Sequence, residues 1–253
     1  MGCIHKGTFL TSEHPFSLLP AQKLWKDEHL DSWQNLLFSL KTESPSFDHL
    51  FGKAWFDYLR NNEERNALYH RAISIYAKRD YAAASSRLDL SSHRSIIDIG
   101  GSTGILMIEL LNTNPHLQGI ILDLPNVISL IQIPAHLKDR LQLLPANFHD
   151  NWPSFKVDSA VLSRVLHDWS DTSCIELLKK IHGILSDTPS HRLYIIENMH
   201  SAPLLDLNML VMTEGKERHL DCFEKILSAA GFALESTCPL NEVSTILIAK
   251  KAR

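Results

Sequence analysis

Two kinds of apolar spacing divide this chain. Over residues 12–92 the apolar positions recur at helical intervals, as in "LDSWQNLLFSL", "FGKAWFDYLR" and "NALYHRAISIYA"; side chains three and four apart share one helix face. From Ser95 the pattern changes to short apolar runs alternating with amphipathic segments. The runs predict strands over 95–100, 119–123, 140–146, 157–163, 193–197 and 244–251. Between them "ILMIELLN", "NVISLIQ", "DTSCIELLKKIHGIL" and "HLDCFEKILSAA" predict helices. Such alternation predicts an α/β fold, a parallel sheet covered by helices on both faces and preceded by a small helical region. The serine-rich "ASSRLDLSSHRS" (84–95) marks the expected boundary, dividing the chain into 1–92 and 93–253. Ser170 or Asp171 is placed to cap the long helix after it, and Gly231 to stop the last one.

Composition narrows the class. The 253 residues are 44% apolar and 21% charged with a net charge of −4, an ordinary globular balance without the basic face that nucleic-acid binding needs. Four scattered cysteines with no C-x-x-C pair read as reduced thiols of a cytoplasmic protein. Fourteen histidines include no H-x-x-x-H pair or Cys/His cluster at zinc spacing, so no metal site is expected. No apolar run approaches the ~18–20 residues of a membrane span, and no signal peptide is expected. The start "MGCIHK" carries Lys6 where a myristoylation signal wants serine or threonine.

Two stretches carry candidate chemistry. "IIDIGGSTG" ends the first strand with Gly100, Gly101 and Gly104, which permit a tight turn and, beyond that, close approach of a nucleotide. Asp123 ends the second strand, where a carboxylate can accept from a ribose diol; together they point to an adenosine-type cofactor. No G-x-x-x-x-G-K-[ST] is present, which disfavours nucleotide hydrolysis. The second stretch is "SRVLHDWSD" (163–171). Helix capping accounts for one of its aspartates and leaves His167 and Trp169 unexplained. Every residue singled out is expected at a strand's carboxyl end or in the loop after it, where open α/β sheets bind ligands.

"IIDIGGSTG", "LDLPNVI", "LSRVLHDWSD", "LYIIEN", "LDLNMLVMTEGKER" and "AAGF" follow one another as in the S-adenosyl-methionine-dependent O-methyltransferases of the caffeic-acid and hydroxyindole type. The resemblance spans roughly 8–253 and implies a Rossmann-like class I methyltransferase sheet. It implies His167 as general base toward a small, hydroxylated, aromatic acceptor, with Glu197 and Glu217 orienting its imidazole. It places the methionine part of S-adenosyl-methionine against Asp98, Gly100, Gly101 and Gly104, and the ribose on Asp123 beside Leu124. The adenine falls to Asn147 and Phe148, and no metal takes part. S-adenosyl-homocysteine is the implied product. Arg164 occupies a position credited with cofactor contact and could equally pair with a surface carboxylate. Trp169 reads as packing.

The chain also departs from that family. Ala146 and Asn147 replace a Gly-Asp pair, so weaker cofactor binding is expected. "GTFLTSEHPFSL" resembles the end of the family's N-terminal dimerisation domain, so the chain reads as shortened, either a homodimer or a partner of a full-length homologue. Trp55, Phe56, Tyr58, Ile73 and Tyr76 form either plain core or an acceptor wall. Two other readings stay open: a same-fold enzyme using the bound sulfonium without methyl transfer, and an inactive partner of a full-length homologue.

Overall fold

The computed structural model describes residues 9, 11, 14, 17–81, 83–199 and 203–252. Most of "GTFLTSEHPFSL" and the whole "MGCIHK" start lie outside them. Seven strands form one sheet: β1 (Ser95–Ile99), β2 (Gln118–Asp123), β3 (Leu141–Pro145), β4 (Ser159–Ser163), β5 (Arg192–Asn198), β6 (Phe232–Pro239) and β7 (Ser244–Lys251). Their order is β3-β2-β1-β4-β5-β7-β6. The first five run parallel, while β7 is antiparallel to both neighbours, so the sheet is mixed and not parallel throughout. The reason is the short connection from β6 to β7, closed by Asn241 Oδ1 accepting from the N–H groups of Val243 and Ser244. A parallel pairing needs a crossover of a dozen or more residues. The sequence predicts no strand over β6, because "FALESTCP" is an edge strand, mostly exposed and bulged between Leu234 and Ser236, with little apolar alternation.

The strand residues alternate between two cores. Ile97, Ile99, Ala160 and Leu162 meet α10 (Asp171–Ile184) and α12 (Leu220–Ala229) on one face. Ile96, Ile121 and Val161 meet α8 (Ile105–Thr113) on the other. Ser170 caps α10, its side chain accepting from the Ser173 N–H, and Gly231 ends the α12 region at φ +83°. Of the helix expected over "NVISLIQ" after β2, only the single turn α9 (Pro125–Ile128) forms. Ile131 and Ile133 reach the core from irregular chain, so their spacing did not require a helix.

In front of the sheet stand α1 (Leu19–Lys26), α2 (Glu28–Gln34), α3 (Leu36–Thr42), α4 (Ser46–Phe51), α5 (Trp55–Arg60), α6 (Glu63–Asp80) and the short α7 (Ala84–Arg87). Their core of Phe47, Trp55, Leu59, Leu68 and Ala72 is completed by Val211 and Met212 from α11 (Pro203–Met212). The sheet begins at Ser95, and the helical layer takes α11 from beyond that point. No helix among the described residues is long and apolar enough to cross a membrane.

Candidate active site

β1 and β4 are neighbours; the chain leaves β1 toward β2 on one side and leaves β4 toward β5 on the other, which opens a crevice at their carboxyl ends. The glycine loop lines that crevice. Gly100 has φ +74°, and a Cβ there would come within 2.7 Å of Val165. A Cβ on Gly101 would stand 2.9 Å from Asp98 Oδ2. Gly104 has φ +78°. Asp98 is buried, and its Oδ2 has no hydrogen-bond partner; burial, then the nearby Asp123, pushes it up to about 7. Asp123 accepts from Ser102 N–H on Oδ2 (2.8 Å) and from Leu124 N–H on Oδ1 (2.7 Å). Burial raises Asp123 to about 6 against those two bonds. A buried orphan carboxylate oxygen beside glycine backbone suits a cationic ammonium group, and a second carboxylate at the next strand end suits a diol.

Asn147 turns part of its capacity inward. Its Oδ1 accepts from His149 N–H (2.9 Å) and its carbonyl from Trp152 Nε1 (3.3 Å), leaving the side-chain oxygen one free lone pair. Phe148 meets Trp169 edge-on at 5.0 Å, and Trp169 stacks on Phe56 at 5.8 Å. Trp169 thus packs between the loop after β3 and the helical layer. Of the helical aromatics, Trp55 is core and Tyr58 packs against that core, whereas Phe56 reaches Trp169 and Tyr76 is exposed.

The histidine loop is held from two sides. His167 sits in a single 3-10 turn, Leu166–Asp168, 7% exposed. Its Nδ1 lies 3.1 Å from Glu217 Oε1, and its Nε2 lies 3.7 Å from Asp168 Oδ2, too far for a hydrogen bond. Glu197 does not touch the ring through a hydrogen bond, contrary to expectation. Its Oε1 accepts from the backbone N–H groups of Val165, Leu166 and His167 at 3.1, 2.9 and 3.3 Å. Glu197 therefore fixes the turn that carries the imidazole, and Glu217 alone takes the ring nitrogen. Arg164, at φ +56°, approaches Glu217 Oε1 at 4.0 Å, a buried carboxylate and not a surface one.

Burial disfavours the charged imidazolium, yet Asp168 and Glu197, with Glu217, outweigh it and raise His167 above its ordinary value. Burial would raise Glu217, but its bond and charge interaction with His167 hold it down. Burial pushes Asp168 up to about 6. The ring and the two glutamates bring three ligand-capable atoms within 4.8 Å of one another.

The other side of the loop is a mould that the sequence did not reveal. Glu217, expected in "GKER", lies in the connection between α11 and α12. A Cβ on Gly215 would fall 1.9 Å from the His167 carbonyl oxygen, so the two backbones are in direct contact. Arg218, 2% exposed, donates to the carbonyls of Leu166 and Trp169 (2.6 Å each) and to Asp171 Oδ1 (2.8 Å). Glu214 accepts from Ser170 N–H and Ser173 Oγ, and Lys216 pairs with Asp171. Taken alone in sequence, Glu217 reads as a solvated helix-start charge, and the signal for its role is the family resemblance of "LDLNMLVMTEGKER"; nothing in the run indicates the backbone contacts of Gly215 and Arg218.

The mixed seven-stranded sheet with its helices is that of the class I methyltransferases. Among solved structures, the mitomycin 7-O-methyltransferase MmcR is similar with a TM-score of 0.87 and 26% identity, over 95% of this chain and 74% of that one. NcsB1, an O-methyltransferase from neocarzinostatin biosynthesis in complex with S-adenosylmethionine and 2-hydroxy-5-methyl naphthoic acid, gives 0.86 and 26% over 99% and 78%. The phenazine O-methyltransferase PhzM of Lysobacter antibioticus is 30% identical over 91% of this chain and 70% of its own length. Residues 33–233 match the O-methyltransferase domain model. The chain belongs to the O-methyltransferase family.

Proposed function

We propose that this protein methylates a hydroxyl of a small aromatic acceptor using S-adenosyl-methionine, with His167 as general base. The carrying observation is the buried His167–Glu217 pair, which leaves Nε2 as the ring atom without a hydrogen bond. Bound cofactor supplies a methyl carbon already activated by its sulfonium. In this reading Asp98 takes the cofactor's ammonium and Asp123 its ribose hydroxyls. Asn147 and Phe148 flank the adenine, and Arg164 and Leu124 line the same crevice. Glu217 accepts a hydrogen bond from Nδ1–H, so Nδ1 keeps its proton and the lone pair of Nε2 receives the acceptor's hydroxyl proton as the new C–O bond forms and the methyl–sulfur bond breaks. The imidazolium is then stabilised by Glu217 and by Asp168. S-adenosyl-homocysteine leaves as the second product. An aromatic acceptor is supported by the naphthoic acid of NcsB1 and by the aromatic contact of Phe56 with Trp169.

This reading assigns the reaction no metal: Glu217 Oε1 is on the imidazole and Glu197 Oε1 on three backbone N–H groups, while the Oε2 atoms of both have no hydrogen-bond partner, so turnover with and without a chelator is the test. The two alternatives lose ground to the same pair: an oriented base has no task without a proton to remove. Pairing with a second copy or a longer homologue belongs to the proposal. Its support is that Leu30, Leu37, Leu40 and Leu204 stand exposed on α2, α3 and α11. A cytoplasmic location belongs to it as well.

The test is calorimetric titration with S-adenosyl-methionine and S-adenosyl-homocysteine, followed by turnover on hydroxylated naphthoates and phenazines with and without a chelator. Micromolar binding that Asp123→Ala abolishes, and methyl ether formation indifferent to chelator, are expected. Absence of binding at millimolar cofactor would overturn the assignment.

Binding should also depend on pH. Asp98 and Asp123 have raised values in the free protein, so protons occupy them below about 7 and about 6. An ammonium and a diol prefer the charged forms, so affinity strengthens from pH 5.5 upward and levels above about 7. Without ligand the sign reverses: a raised carboxylate contributes stability that is lost as pH rises through its folded value. Asp98→Asn should flatten the binding profile around pH 7. A pH-independent wild-type affinity would refute the assignment of the ammonium to Asp98.

A further inference from the structure

One stripe of α6 is tied to both loops of the cofactor crevice. Asn66, His70 and Ser74 follow at four-residue spacing, which stacks them on one helix face. Asn66 and Asn126 bond reciprocally, Asn126 Nδ2 to Asn66 Oδ1 at 3.0 Å and Asn66 Nδ2 to the Asn126 carbonyl at 3.3 Å. His70 Nδ1 lies 2.7 Å from Ser102 Oγ, and Ser74 Oγ 2.7 Å from Thr103 Oγ1. The helical layer therefore grips the glycine loop at two consecutive residues.

Ser102 is the unusual member. It stands in the glycine loop at φ +52°, a region that side chains other than glycine enter at a cost. A glycine at 102 would relieve that cost, so what serine adds is its hydroxyl. That hydroxyl meets His70, which is 7% exposed, and burial pulls the imidazole down to about 4, so the ring is a neutral hydrogen-bond partner. The Ser102 N–H in turn donates to Asp123 Oδ2, the carboxylate assigned to the ribose. The chain of contacts runs from α6 through one strained residue to the cofactor acid.

We infer that His70 is a positioning residue for the cofactor: through Ser102 Oγ it holds the glycine loop in its left-handed turn and thereby keeps Ser102 N–H on Asp123. The inference rests on the cofactor reading above. Without His70 the strained serine has no compensating bond, and the loop relaxes to a form in which Asp123 is no longer aimed. The chemical step lies elsewhere and is untouched once the cofactor is bound.

The experiment is a double-mutant cycle read by calorimetry with S-adenosyl-homocysteine, with cofactor KM, kcat and melting temperature measured on each protein. His70→Ala is expected to weaken binding by about tenfold, the loss of one well-placed buried bond, and to raise cofactor KM while kcat at saturation is kept. Ser102→Gly alone is expected to bind within about threefold of wild type, since glycine adopts this turn freely. The double variant should match Ser102→Gly, because His70 then has nothing left to hold. His70→Gln, whose amide still reaches a hydroxyl, should restore affinity and serves if the alanine variant fails to fold. Equal losses from His70→Ala in the serine and glycine backgrounds would overturn the inference, as would an unchanged affinity accompanied only by a lower melting temperature. Failure of the wild type to bind S-adenosyl-homocysteine defeats the cofactor reading and this inference with it. Binding by the wild type that His70→Ala leaves intact defeats this inference alone.

Discussion

Replacing His167 by alanine is expected to cut turnover by about 10²–10⁴-fold, the range attributed to general base catalysis, while S-adenosyl-homocysteine binds as in the wild type. The two effects separate because His167 touches Glu217 and approaches Asp168, not the carboxylates or glycines assigned to the cofactor. His167→Gln is the stricter control, filling the same space without a basic nitrogen. The pH profile supplies an independent readout. The carboxylates around the ring raise His167 above its ordinary value, and only the neutral ring accepts a proton. Turnover at saturating substrates should therefore climb with pH through a value above ~6.5, the unperturbed imidazole pKa. Turnover surviving in His167→Ala, or a rate that falls across that range, would remove His167 from the base role.

Gly215→Ala is expected to do comparable damage from outside the reacting centre. The added Cβ would stand 1.9 Å from the His167 carbonyl oxygen and 2.5 Å from the Asp168 carbonyl carbon, and backbone cannot rotate away as a side chain can. Either "TEGKER" or the histidine turn must move. Movement of either breaks the Arg218 bonds to Leu166 and Trp169 and takes Glu217 from Nδ1. Overpacking typically costs about 1–3 kcal/mol, and losing buried charged hydrogen bonds adds about as much again. A melting temperature lower by roughly 5–10 °C and a turnover reduced about 10²-fold or more, as misplacement of a reacting group implies, are the expected outcome. Differential scanning calorimetry and initial rates measure both. A variant with wild-type stability and rate would show that the close backbone contact is not maintained in solution.

Much of this was legible before folding. Five strands of the sheet carry runs such as "SIIDI" and "SAVLS" whose apolar content suits burial on both faces, and glycine punctuation with a carboxylate at each of two strand ends marked the crevice. Ser170 and Gly231 stood where cap and stop were expected, because their effects depend on only three or four neighbouring residues. His167 was visible as an unexplained residue between apolar and acidic positions.

What stayed hidden depends on residues far apart in the chain. Glu197 is bonded to a turn some 30 positions earlier, and Arg218 reaches Leu166 across 52 positions. Nothing local to "LYIIEN" or "TEGKER" announces a backbone partner. β6 was missed because an edge strand faces solvent and needs no apolar alternation. The helical layer needed α11 to close its core, and Ser102 needed His70 to occupy a glycine's conformation.

The sequence by itself determined the alternating α/β class, the local caps and turns, and the residue types available at strand ends, since these follow from apolar periodicity and short-range hydrogen bonding. Only the tertiary structure decided which carboxylate holds the imidazole and which holds the backbone beneath it. That choice is made by the direction of a few side chains converging from β5, the α11–α12 connection and the histidine turn, and direction is a property of the packed whole.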